Sequence, residues 1–152
     1  MLKRGESNLH PIERRNLGYL RRHLELNKAR NVTVMEAAVS YKSETPAEAA
    51  VPSEGAGRSP VRVKTCTLDN LLERGQIPLP NFIHMDIGGG EFAALCGART
   101  LLTRAHPTII LSTHGETLHR ECCAFLEVLE YRLAPVDGQP LESSREILAT
   151  QF

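Results

Sequence analysis

The chain has 152 residues, 18 of them basic and 18 acidic, so its formal charge at neutral pH is zero. That balance excludes the net field that draws a protein onto nucleic acid or an anionic membrane surface. No apolar run is long enough to span a bilayer, and the length suits one core, so a single domain or a large piece of one is expected.

The four cysteines, Cys66, Cys96, Cys122 and Cys123, show no two-residue gap of the zinc or redox kind. Adjacent cysteines such as Cys122 and Cys123 rarely bridge to each other, so reduced thiols acting as small apolar residues are expected. With no charged-apolar-small leader pattern either, the cytoplasm is the expected location.

In chain order, residues 1–10 show no period and read as an irregular lead-in. From Pro11 to about Arg30, Leu17, Leu20 and Leu24 recur at helical spacing. Arginines, Glu25 and Lys28 lie opposite, a solvated face by default. Val32–Met35 alternates and runs on through Ala38, Val39 and Ser40 as a strand leading to a loop. Residues 42–60, with Pro46, Pro52 and Pro60 among small and charged residues, read as a loop or disordered insertion.

Val61–Lys64 alternates again, and Thr67 caps a short helix that Gly75 stops. Phe82–Ile87 forms a strand with Phe82, His84 and Asp86 on one face. Gly88, Gly89 and Gly90 break it, and one helix is expected from Glu91 to about Thr103. Thr108–Ser112 is an apolar, β-branched strand that ends in Thr113, His114 and Gly115. A helix with Leu118, Cys122, Phe125 and Leu129 on its stripe follows. Tyr131–Val136 reads as a strand, Asp137–Gly138 as a turn and Glu146–Ala149 as the last strand.

Strands alternating with helices predict an α/β domain with a mostly parallel sheet covered on both faces. Ligands in such sheets bind beyond the carboxyl ends of the strands, where Ser40, Asp86 and His114 all fall. Asp86, His84, His114 and His119 can also be drawn as a metal cluster. His114 and His119 are five apart, so one helical face does not present both well, and no metal is expected.

Three blocks resemble the FkbM family of S-adenosylmethionine-dependent methyltransferases. The first runs from Asn16–Leu20 through His23–Asn27 and Asn31–Val32 to Ala38, Val39 and Ser40. The second is Thr67–Asp69, then Phe82–Glu91 and Leu95–Ala98. The third is Pro107–Leu111, His114–Gly115, Cys122–Cys123 and Tyr131. The middle block is the most specific, because the family reads Asp, any, Glu, Gly, any, Glu there. This chain has Gly88 where the family's first glutamate is expected.

The resemblance implies a Rossmann-like methyltransferase fold and methyl transfer to the hydroxyl of a small molecule or sugar. It implies Asp86, Glu91 and His114 at the catalytic rim, with Ala38, Val39, Ser40 and Asp86 towards the cofactor. Asp86 would orient an acceptor hydroxyl or the donor, with Glu91 in support and His114 as general base. The bland alternatives are that Glu91 complements a helix start and His114 caps or packs.

The family's glycine-rich turn and ribose-binding acid belong before residue 10, and ten residues do not hold the strands and helix they need. The expectation is therefore an incomplete domain that binds S-adenosylmethionine weakly or not at all. An uncovered sheet edge that promotes self-association is expected too. The alternatives are a non-catalytic remnant or binding module and, further off, a metal-dependent hydrolase.

Overall fold

A computed structural model describes residues 6–9, 14–42, 48–51 and 61–151. β1 (Glu6–Leu9) pairs in parallel with β2 (Val32–Met35), and α1 (Arg14–Leu26) connects them. The lead-in, expected to be irregular, thus contains a strand whose ladder is made by backbone groups. Leu17, Leu20 and Leu24 are half-buried, as their spacing implies, and Tyr19 and Leu26 face outward. The helix stops at Leu26, short of Arg30, because Lys28 turns left-handed at φ 51° and the Ala29 N–H closes back on the Leu24 carbonyl. An ion pair between Arg21 and Glu36 ties α1 to the segment after β2.

The strand expected to run on through Ser40 is two strands. β3 (Ala38–Val39) leaves β2 and pairs in parallel with β5 (Val61–Cys66), while β4 (Glu48–Val51) pairs with β5 antiparallel. Residues 48–51, expected as loop, are therefore strand; 43–47 and 52–60 lie outside the described residues.

α2 (Leu68–Glu73) forms as expected. The Thr67 hydroxyl accepts from the Asn70 N–H at 3.0 Å, and Gly75 at φ 65° ends the helix.

β6 (Phe82–Met85) and β7 (Thr108–Ser112) are parallel neighbours. The single helix expected between them is two, α3 (Glu91–Cys96) and α4 (Arg99–Ala105). Gly97 closes the first. The carboxylate of Asp69 starts the second, accepting from the Thr100 N–H at 2.9 Å and the Leu101 N–H at 2.7 Å.

α5 (Glu116–Val128) then leads to β8 (Arg132–Pro135) and β9 (Glu146–Thr150). β9 inserts between β7 and β8 and runs antiparallel to both, giving the order β6-β7-β9-β8. The expectation of a mostly parallel sheet is not met: this sheet and β3-β5-β4 are mixed, and only β1-β2 among the described residues is wholly parallel. β8 reaches β9 through a turn without a crossover helix, and that connection makes neighbours antiparallel. β2 is not hydrogen-bonded into this sheet among the described residues.

Register builds the core. Ile83, Ile109, Ala149 and Leu133 align across the four strands, as do Met85, Leu111 and Ile147, all pointing to one face. That face is sealed by Leu95, Leu101, Leu102, Cys122 and Leu126. The other face, with His84, Ile110 and Leu148, is only partly covered. Four cysteines remain free thiols. No helix among the described residues is long and apolar enough to cross a membrane.

Candidate functional site at the ends of two parallel strands

Because β6 and β7 are parallel and in register, the residues just past each strand reach the same rim. Asp86 follows β6 directly, and His114 follows β7 by two positions. Between them, Glu91 opens α3 after the turn Gly88–Gly90. The turn needs glycine: φ is 66° at Gly88 and 103° at Gly89, angles a side chain rarely tolerates.

This tight turn points backbone donors inward, and Glu91 collects them. Its carboxylate is sealed from solvent and accepts from the Ile87 N–H at 3.2 Å and from the Gly89 N–H at 3.0 and 3.1 Å. The same Oε1 lies 2.9 Å from Nδ1 of His114. A carboxylate oxygen accepts, so Nδ1 carries the proton and donates it to Glu91. Nε2 of His114 is left facing outward, 3.5 Å from Oδ1 of Asp86. His114 and Asp86 are each about half exposed, with side-chain exposures of 46% and 56%.

A buried acid thus holds an imidazole by one nitrogen and leaves the other beside a second, accessible acid. Chemically, such a set can orient a hydroxyl at Asp86 and take its proton at Nε2. One ligand atom from each of Asp86, Glu91 and His114 lies within 4.8 Å of the others, so the set is also competent towards a cation. Behind it, burial pushes the Cys122 thiol up to about 12, with the Glu91 carboxylate adding to the shift.

The structure brings His114 to Asp86 and Glu91, although 23 residues separate it from Glu91. It places Ser40 elsewhere. Ala38 and Val39 are locked to β5, the Ser40 N–H donates to the Cys66 carbonyl at 2.9 Å, and the Ser40 carbonyl abuts Gly97. Gly97 is the far end of α3 from Glu91, about 9 Å away for six residues of helix.

His84 lies exposed on β6, on the face that Asp86 continues. His119 is not part of the cluster. It is buried in α5, with Nδ1 3.0 Å from the Thr113 hydroxyl and Nε2 3.5 Å from Cys123 Sγ. The drawn four-residue metal set therefore does not assemble. Family resemblance set Glu91 at the rim in support of Asp86, with a helix-start acid as the alternative, but its hold on His114 has no local signal, since 23 residues separate the two.

The methyltransferase FkbM domain family matches residues 11–133. No curated protein matches the chain. A crystal structure of methyltransferase FkbM from Methylobacillus flagellatus KT has a similar fold, with a TM-score of 0.62 and 23% sequence identity. The alignment covers 95% of this chain and 36% of that one, so the chain spans about a third of its length. With the family matched over most of its residues, the chain belongs to the FkbM methyltransferase domain family.

Proposed function

We propose that these residues form the acceptor side of an S-adenosylmethionine-dependent methyltransferase that methylates a hydroxyl on a small molecule or sugar. The observation that carries this reading is the Glu91–His114–Asp86 chain at the rim of β6 and β7. A sulfonium methyl group is already a strong electrophile, so the protein's task is to align the acceptor and remove its proton.

In this reading Asp86 accepts a hydrogen bond from the acceptor and orients it. Nε2 of His114 takes the hydroxyl proton as the oxygen lone pair attacks. Glu91 keeps Nδ1 protonated, so Nε2 stays the basic nitrogen, and it balances the charge that the imidazolium gains. Glu91 is a positioning residue, since it is sealed from solvent and cannot itself touch the acceptor.

Two backbone segments near the site have N–H groups already engaged within the fold. The Ile87 and Gly89 N–H groups of the glycine turn are already bonded to Glu91. The backbone of Ala38–Ser40 is tied to β5 and Gly97. No step is therefore assigned to residues holding the donor.

The test is methyl transfer at millimolar S-adenosylmethionine to a panel of sugars and small alcohols, read as S-adenosylhomocysteine release. Transfer to at least one hydroxyl, lost on the order of 100-fold or more in His114→Ala, is the expected result. No transfer to any hydroxyl, or transfer indifferent to His114→Ala, overturns the reading.

A further inference from the structure

The geometry points to a divalent transition-metal site at Asp86 and His114, of the zinc class, whose occupancy switches off the proton-accepting nitrogen. The argument begins with a distance. Nε2 of His114 and Oδ1 of Asp86 stand 3.5 Å apart, beyond ordinary hydrogen-bonding distance. Two donors each bound at about 2.0–2.1 Å on a tetrahedral zinc stand roughly 3.3–3.4 Å apart. The gap is too wide for a good direct bond and close to the right width for an ion between them.

The second observation lies behind the pair. Zinc-binding histidines characteristically donate their other ring N–H to a carboxylate, which fixes the tautomer and strengthens the ligating nitrogen. Glu91 does this here, 2.9 Å from Nδ1. Its own Oε1 is saturated by the Ile87 and Gly89 N–H groups and His114, so Glu91 serves from behind and Asp86 and His114 are the ligands. Both ligands are about half exposed, leaving the remaining coordination positions to water.

One imidazole and one carboxylate suit Zn2+ or Co2+, whereas Mg2+ prefers oxygen alone and holds its water. The inhibitory effect rests on the reading of His114 as the base. The ion takes the same lone pair that accepts the hydroxyl proton.

The experiment is calorimetric titration of the chain with Zn2+, paired with visible absorption on adding Co2+. One ion per chain is expected, with Co2+ d–d bands and no thiolate charge-transfer band. His114→Gln and Asp86→Asn should each weaken binding at least tenfold, and a hundredfold excess of Mg2+ should not compete. Both substitutions are on exposed side chains, and circular dichroism checks that each variant keeps its fold. Binding unchanged in both variants, a thiolate band, or no binding at all overturns the site. Binding without methyl transfer leaves this site standing and removes the reaction. Transfer dependent on His114 without metal binding does the reverse.

Discussion

The Glu91 carboxylate, fully sealed from solvent, lies 2.9 Å from a ring nitrogen of His114, which is itself about half exposed. One member of the pair is therefore structural as well as chemical, and the other is free to act. Glu91→Gln turns an acceptor into an amide whose nitrogen faces N–H groups, leaving buried donors unsatisfied. A loss of about 3 kcal/mol is expected in urea unfolding. His114→Gln should cost less than about 1 kcal/mol, because its surroundings are wet. Equal losses in the two variants would show that the buried bonds to Ile87 and Gly89 carry no weight.

Gly97 is needed for space, not for an unusual backbone, since its φ is −79°. A Cβ there would sit 2.0 Å from the Ser40 carbonyl oxygen and 3.2 Å from the Thr67 Cβ. That carbonyl is backbone, held in place by the Ser40 N–H bond to Cys66, so it cannot swing aside. Gly97→Ala should lose more than ~2 kcal/mol in the same measurement. Gly75→Ala, strained at φ 65° but open around its Cβ, should lose only about 1 kcal/mol. The reverse order would mean that β3 does not pack against the end of α3.

Much of this architecture was legible in the residues. The half-buried Leu17–Leu20–Leu24 stripe, the Thr67 cap, the alternation of β6 and the rim positions of Asp86 and His114 all follow from local pattern. What was not legible depends on distant partners. Asp69 starts α4 from 31 residues away, which splits a stripe that looked continuous from Glu91 to Thr103. β4 lies in a stretch of small and charged residues and is a strand because β5 offers it a ladder. The antiparallel β9 looks like any apolar strand until its position between β7 and β8 is known. Proximity of Asp86 and His114 followed from strand ends; Glu91 joined them only through the family resemblance, and its bond to His114 had no local signal.

Alkaline pH should loosen this core in a defined window. Burial raises the Cys122 thiol from 9.0 to about 12 and the Tyr131 phenol from 10.0 to about 12. Folding therefore favours the protonated form of each. Their contribution is complete below the unfolded values and is lost as pH rises through the folded ones. Stability should begin to fall near pH 9 and continue falling to about 12. At pH 7, Cys122→Ala should be less stable by ~1 kcal/mol, because it leaves a small void. That deficit should shrink between pH 9 and 12, since alanine has nothing to ionise. Urea midpoints across the window decide it, and a deficit that stays constant would mean the thiol does not ionise against folding.

Binding of the methyl donor by residues 1–152 is expected to be weak, and the reason lies in how the polar backbone is used. A nucleoside-type ligand is held where a turn offers unpaired N–H groups and an acid accepts from the ribose. In the glycine turn after β6 the inward N–H groups of Ile87 and Gly89 are bound to Glu91. The Ala38–Ser40 segment is joined to β5 and pressed on Gly97. Of the residues that family resemblance sets beside the cofactor, Asp86 alone lies at the rim beside His114. Each missing hydrogen-bonding partner costs about 1–3 kcal/mol, and every ~1.4 kcal/mol is tenfold in affinity. Two such losses move a micromolar site to roughly 100 µM or weaker. Calorimetric titration of the chain with S-adenosylmethionine is the measurement. Ser40→Ala should leave whatever weak heat is seen unchanged. Saturable binding at low micromolar concentration would overturn the expectation, and sensitivity to Ser40→Ala would place the donor at the β3 end of α3.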